Sequence, residues 1–474
     1  MDMQDLVRAW TERDVPVLAS TIAAVEILRR DEERVSGRDL SRVVLRDPLM
    51  TLRVLRREQA RRTTRQPTEI TTVAHAVMMS GVTNFFRESA SAPCLETVLA
   101  PAPEALTGAR AVISRAHHAA AYAQAIASQR HDIESEEVVI GALLHDLAEL
   151  LMCGYRPEEA AQIRFLVGHA RGLRSAAAQT AVLGFTYADL QLALAQGWNL
   201  PVVLRRLMDD HHAEHPRIAN VLTAVSLARH SAYGWQDPAL PDDLKRVEKL
   251  IGGGPDQAWR LVRGACLRAA ANWEDYAVRP AAAWLPLADD IHMGIASHTR
   301  PPATGPKVFV RTCAQIKAAP VAAEDAALGA LALYALHAGL GFGRVMLAEV
   351  DERAGQAATR FCFGADIAEE LSWEGFAFPL AGRDLLGRLM GRPQGIWAGS
   401  ASLAKLAPLI SPELRHRIGH NEFVAMSVFS GGNPRFLVIA DHGRTGAPIP
   451  ETLYGPFKAV CATLSQRLSG AGRH

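Results

Sequence analysis

Apolar positions recur every three or four residues through most of residues 1–275, and the breaks in that pattern fall at Pro or Gly. This is the spacing of amphipathic helices with one face turned to a core, so the stretch is expected to be almost wholly helical. IGGGP (251–255) is a strong breaker, after which DQAWRLVRGACLRAAANWEDYA (256–277) resumes the helical pattern. Between 278 and 306 the chain is interrupted by Pro280, Pro286, Pro301, Pro302 and Pro306, and SHTRPPATGPK reads as a linker. From 307 onward the pattern is α+β. EDAALGALALYALHAGL (324–340) predicts a helix, and GRVMLAEVDE (343–352) and GQAATRFCFG (355–364) predict two strands joined by a short turn. FVAMSVFSGGNPRFLVIAD (423–441) is a second pair of β-prone runs around a Gly-Gly-Asn-Pro turn, and TLYGPFKAVCATLSQRL (452–468) closes as an amphipathic helix.

At 474 residues the chain is too long for one ordinary core, so two or three domains are expected. A net charge of +1 gives the chain as a whole no pull toward nucleic acid or acidic lipid. The start, MDMQDLVRAW, has no apolar core and predicts no secretory signal. The longest apolar run, LGALALYALHAGLGF (328–342), holds a His and three Gly and is too short to span a membrane. Six scattered cysteines without a CxxC pair argue for a reducing compartment and against structural zinc, so a cytoplasmic, soluble protein is expected. One local charge feature departs from the balance: RVLRREQARRTTR (53–65) holds six arginines against one Glu. It reads either as a solvated helix face or as a partner-docking patch of Arg53, Arg56, Arg57, Arg61 and Arg62 for an acidic partner or a phosphate backbone.

The chemistry centres on GALLHDLAEL (141–150). Consecutive helical residues are displaced by about 100°, so the side chains of His145 and Asp146 can both reach one cleft. Imidazole and carboxylate together suit Mg, Mn, Fe or Zn, but a metal site needs about four ligands unless water completes it. Further donors stand on or beside helices: His117 and His118 in AHHAAAYAQAIA (116–127), and Asp209, Asp210, His211, His212 and His215 in DDHHAEHP (209–216). A His pair of this kind also suits the capping of a helix C-terminus.

GALLHDLAEL resembles the GLLHDIG signature of the HD superfamily of metal-dependent phosphohydrolases. RDPLMTLRVLR (46–56), ITTVAHAVMMSGV (70–82) and GWNLPVVLRRLMDDHH (197–212) resemble, in order, three elements of its HDOD (HD-related output) branch. The resemblance covers about residues 15–235 and implies an all-α, HD-like helical domain, with an N-terminal subdomain at 1–90 and an HD-like subdomain at 91–277. Carried over residue by residue, the superfamily's metal ligands fall on His145 and Asp146 for the central pair and on His211 and His212 for the paired histidines. The first ligand falls on Arg115, the next His on Tyr187 and the last Asp on Ser226. A guanidinium donates hydrogen bonds and does not ligate metals. The resemblance therefore implies a degenerate site with no catalytic residue and no required cofactor, in which His145 and Asp146 hydrogen-bond within the core. The HDOD Asn-Ser-rich segment after the DP helix is also replaced, by Glu58, Gln59 and the arginine run.

Residues 307–474 resemble GAF-type sensory domains in element order, an antiparallel sheet with flanking helices. Trp373, Phe376, Phe378, Trp397 and Phe423 would line a ligand pocket there or form the core, and Arg360, Arg383 and His420 are polar residues able to face it. The expectation is a non-catalytic signalling protein: an HDOD module that binds other signalling proteins, coupled through the 278–306 linker to a GAF-like domain sensing a small ligand. The alternative is a metal-dependent phosphohydrolase acting on nucleotides or cyclic dinucleotides. A third reading is a nucleic-acid-binding regulator using residues 53–65.

Overall fold

The computed structural model describes residues 2–61, 69–232, 234–285, 303–364 and 373–471, with the side chains of His212, Arg444 and Ala471 outside that description. Arg62 and most of the expected 278–306 linker lie outside it as well. The chain divides into two compact units, Met1–Pro157 with Tyr187–Ala296, and Glu158–Thr186 with Ser297–His474.

The first unit is helical, as the three- and four-residue spacing predicts. The helices that bear on the site are α1 (Pro48–Arg61), α2 (Pro103–Gln129), α3 (Ser135–Leu144) and α4 (Leu147–Tyr155). The chain then enters the second unit with α5 (Pro157–His169) and α6 (Ser175–Leu183), and returns with α7 (Tyr187–Gly197), α8 (Pro216–Ser231) and α9 (Pro255–Ala270). The 27-residue α2 is the axis, packed against α3, α4, α8 and α9. Its buried side is largely alanine (Ala105, Ala109, Ala116, Ala119, Ala120, Ala123), and small residues let neighbouring helices approach closely. Gly141 serves the same purpose on α3, because a Cβ there would stand 3.0 Å from Leu207 Cβ. Residues 135–155 are long and apolar enough to cross a membrane, but 78% of an apolar 18-residue window within them is buried inside the protein, so their hydropathy is that of a core.

Asp47, the acid of the DP element, is fully buried. Its carboxylate accepts from Leu18 N (2.9 Å), Thr21 Oγ1 (3.0 Å), Leu49 N (2.9 Å) and Met50 N (3.3 Å), holding the start of α1 to the N-terminal segment.

The second unit is built on a six-stranded antiparallel sheet: β1 (Arg344–Asp351), β2 (Gln356–Phe363), β3 (Ala377–Pro379), β4 (Gly395–Ala398), β5 (Phe423–Ser430) and β6 (Asn433–Asp441), in the order β3-β2-β1-β6-β5-β4. The two predicted strand pairs are present as β1–β2 and β5–β6. Gly431 and Gly432, both at positive φ, make the turn between β5 and β6. The short β3 and β4 carry too few residues for an alternating pattern to show. Pro306, the last residue of the expected linker, instead opens a helix over Pro306–Ala318, at a first-turn position where no N–H is needed. A helix over Asp325–Tyr334, α10, continues into one π-turn at Ala335–Gly339, and α11 (Glu451–Ala471) closes the chain.

The units divide differently from the expected 91–277 subdomain, because α5 and α6 belong to the second one. Phe165 of α5 packs edge-on to Tyr334 (5.3 Å between ring centres) and Phe363 (5.4 Å), and the Gln162 and Gln315 amides exchange hydrogen bonds of 3.0 and 3.1 Å. Of the two readings open for the aromatic residues, pocket lining or core, four of the five take the core one. Trp373, Phe376, Phe378 and Phe423 are all buried in one apolar cluster with Leu385, Leu386 and Leu414, so they fill space, while Trp397 is half-buried. Beside that cluster Arg344 pairs with buried Asp441 and lies over the Trp373 ring.

Candidate functional site

His145 and Asp146 occupy the break between α3 and α4: His145 keeps helical backbone angles (φ −60°, ψ −35°) and Asp146 leaves them (φ −99°, ψ 21°). Such a break strands backbone groups that must find partners in a dry interior. Gln191 of α7 supplies them: its Oε1 accepts from Ala148 N and its Nε2 donates to Leu144 O, both at 2.8 Å. The amide thus holds the two half-helices in fixed relation and presents the Asp146 carboxylate, 5% exposed, to α2 and α8.

Both Asp146 oxygens are taken by guanidinium groups. Arg115 of α2 donates from Nε (3.1 Å) and Nη2 (2.9 Å) to Oδ2, and its Nη2 also reaches Glu149 Oε2 at 2.5 Å. Arg229 of α8 donates from Nη2 to Oδ1 at 2.5 Å. Arg115 is mostly buried, whereas the Arg229 side chain remains 47% exposed. Burial alone would raise the Asp146 pKa, but Arg229 and Arg115 outweigh it and hold the carboxyl well below its ordinary range. On the other side, His145 Nε2 lies 3.1 Å from Asp210 Oδ1, and its Nδ1 lies 3.4 Å from Asp146 Oδ1. Burial pushes the His145 pKa down; hydrogen bonds to Asp146 and Asp210 more than compensate and raise it. Three carboxylates (Asp146, Glu149, Asp210) thus face two guanidiniums and one imidazole, which balance when His145 is protonated.

This arrangement does not fit the divalent ion that an HD site would hold. Arg115, at the first-ligand position, places its own positive charge on the central aspartate. Arg229 does the same from one turn beyond Ser226, the last-ligand position. His211 does not converge on the pair: its side chain is 81% exposed and its Nδ1 meets Asp209 Oδ1 at 2.7 Å. Tyr187 opens α7 and is half-buried. His118 is buried with Nδ1 2.8 Å from Ser114 O, and burial lowers the pKa of His118 and takes that of His117 to about 3. Among the described residues, no group of three or more His, Cys, Asp or Glu side chains is disposed to hold a metal.

Sequence reasoning missed Arg229, Glu149 and Gln191. A signal for Arg229 was available, since a basic residue three positions after Ser226 shares its helix face.

The described arginines of the 53–65 run are engaged within the first unit. Buried Arg53 donates to Asp14 and to Val15 O, and Arg56 donates to Arg13 O and Thr11 O, which ties down the N-terminal segment. Arg57 and Arg61 both pair with Glu88, and Arg61 also with Glu58 at 2.6 Å. Of the expected docking patch, Arg53, Arg56, Arg57 and Arg61 thus meet local acids and backbone carbonyls, and Arg62 lies outside the described residues.

Residues 15–214 match the HDOD domain family. No curated protein matches the chain. It is similar to the MmoQ response regulator from Methylococcus capsulatus (20% identity over 53% of this chain and 98% of that one, TM-score 0.40). It is also similar to an HDOD domain protein from Geobacter sulfurreducens (16% identity, 57% and 97%, TM-score 0.33). A third similar structure is the phycoerythrobilin-bound GAF domain of a cyanobacterial phytochrome (15% identity, 35% and 97%, TM-score 0.25). The chain therefore carries an HDOD domain over residues 15–214, and its second unit is built on a six-stranded antiparallel sheet.

Proposed function

We propose that this protein is a non-catalytic, cytoplasmic signal-transduction protein, in which the HDOD region binds other signalling proteins and the GAF-like domain senses a small ligand. The observation that carries the non-catalytic reading is the pair of guanidiniums on the two oxygens of Asp146. A hydrolase of this superfamily needs an ion to lower the pKa of its attacking water, and Arg115 supplies the charge without the ligating capacity. Six free cysteines favour a reducing compartment. Coupling between the two regions is supported by the chain path, since α5 and α6 lie within the HDOD match yet pack in the second unit.

The test is elemental analysis of protein purified without chelator, together with a phosphodiesterase assay supplemented with Mn2+ or Fe2+. Substoichiometric metal and no turnover are expected. Stoichiometric metal, with hydrolysis abolished by His145→Ala, would sink the reading in favour of a phosphohydrolase.

A further inference from the structure

The C-terminal half of α2 and the length of α9 enclose an open groove of about 760 Å³ in the first unit. Its floor is made of small apolar side chains, Ala121 and Ala125 from α2 and Ala269 from α9, so a second backbone can come close. Arg260 and Arg268 stand on its rim, both exposed and about two helical turns apart, and neither has an ion-pair partner among the described residues. Arg268 runs back along its helix, with Nη1 3.4 Å from where a Gly264 Cβ would sit, so the glycine leaves the guanidinium room. The remaining rim polarity is neutral, with Gln124 and Gln257 on opposite sides, and no carboxylate lines the groove among the described residues. This local positive charge contrasts with a chain whose net charge is only +1, and with Arg57 and Arg61, which are paired with Glu88 and Glu58. At one end lies His117, whose Nδ1 has no hydrogen-bond partner among the described residues.

A small-molecule site buries most of its ligand, whereas this groove is open along its length, which suits a segment of chain. Small apolar floor, amide sides and unpaired cations on the rim complement an amphipathic helix with acidic flanks. We propose that the α2–α9 groove is a docking surface for an acidic amphipathic segment of a partner protein, with the partner's carboxylates on Arg260 and Arg268 and its small apolar face on Ala121, Ala125 and Ala269. This rests on the protein-binding reading of the HDOD region and names the surface and the partner's chemistry.

The test uses the full chain and two fluorescein-labelled helical peptides of alanine with either Glu or Lys at four-residue spacing, read by fluorescence anisotropy. The Glu peptide should bind, weakening as salt rises, and the Lys peptide should not. Two rim contacts of this kind are worth roughly tenfold, which the double variant R260E/R268E should lose while gaining affinity for the Lys peptide. The neutral pair R260Q/R268Q should fall between. Circular dichroism melts identical to the parent's would show that these variants fold. No binding of the Glu peptide, equal binding of both peptides, or undiminished binding by R260E/R268E would overturn the proposal. So would arginine-dependent binding of ATP in place of the peptide. Turnover in the phosphodiesterase assay would refute the non-catalytic reading and leave the groove result standing.

Discussion

Asp146 sits between two cations in a dry interior, and removing either leaves a buried charge short of a partner. Breaking a buried pair from one side costs about 3–5 kcal/mol, so Arg115→Met is expected to lower stability by that order, measured by urea denaturation. Arg229 is half exposed, and Arg229→Met should cost about 1 kcal/mol or less, because water replaces part of what is lost. Equal losses would contradict this burial difference. His145 gives a pH signature. Its folded pKa is raised, so its contribution to stability is fully present below about 6.5 and is lost as pH rises through the folded value. Asp146 works in the opposite sense: its folded pKa is depressed, so its contribution is present above about 3.9 and is lost as pH falls toward the folded value. Nuclear magnetic resonance titration of the His145 ring should place its pKa above that of a free histidine, and Asp210→Asn should bring it down. An Asp210→Asn shift of zero would mean that the contact at 3.1 Å does not hold in solution.

At the scale of elements, the break between α3 and α4 depends on one amide. Gln191→Leu keeps the volume but orphans Leu144 O and Ala148 N, each of which costs about 1–3 kcal/mol when buried without a partner. Hydrogen exchange at the Ala148 amide should accelerate accordingly. Parent-like protection there would show that the break is held by packing alone. Where element patterns were strong in the sequence they gave the right elements: the helical spacing through 1–275 and the β1–β2 and β5–β6 pairs. β3 and β4 were illegible for a physical reason, since three or four residues cannot display a period of two. The aromatic residues at 373–378 were ambiguous for a related reason. A buried ring and a pocket-lining ring have the same chemistry, and only their neighbours distinguish them.

For the whole molecule, the chain path sets the expectation. Residues 1–285 cover the HDOD match, yet expressed alone they carry α5 and α6 without the sheet unit that buries Ile163, Phe165 and Leu166. That fragment should bind a hydrophobic dye and associate, while the full chain does not, as sizing chromatography and dye fluorescence would report. A dye-silent monomer of residues 1–285 would mean that α5 and α6 find other partners. Within the full chain, Phe165→Ala should cost about 3–5 kcal/mol, the usual loss for a buried aromatic, and the loss should register in the melting of the second unit.

The sequence by itself carried the HDOD match, through four motifs in order, and the substitutions Arg115, Tyr187 and Ser226 at the ligand positions that the resemblance implies. Identity at a motif position is local information, and a chain carries it without folding. The partners of Asp146 were not local. It took the packing of α2, α4 and α8 to bring Arg115 and Arg229 onto one carboxylate across 31 and 83 residues of chain. The same holds for the assignment of α5 and α6 to the second unit and for the pairing of Arg53, Arg57 and Arg61 with local acids. Each depends on which surfaces meet, and a pattern of hydrophobic and polar positions shows that a face will be covered without saying by what.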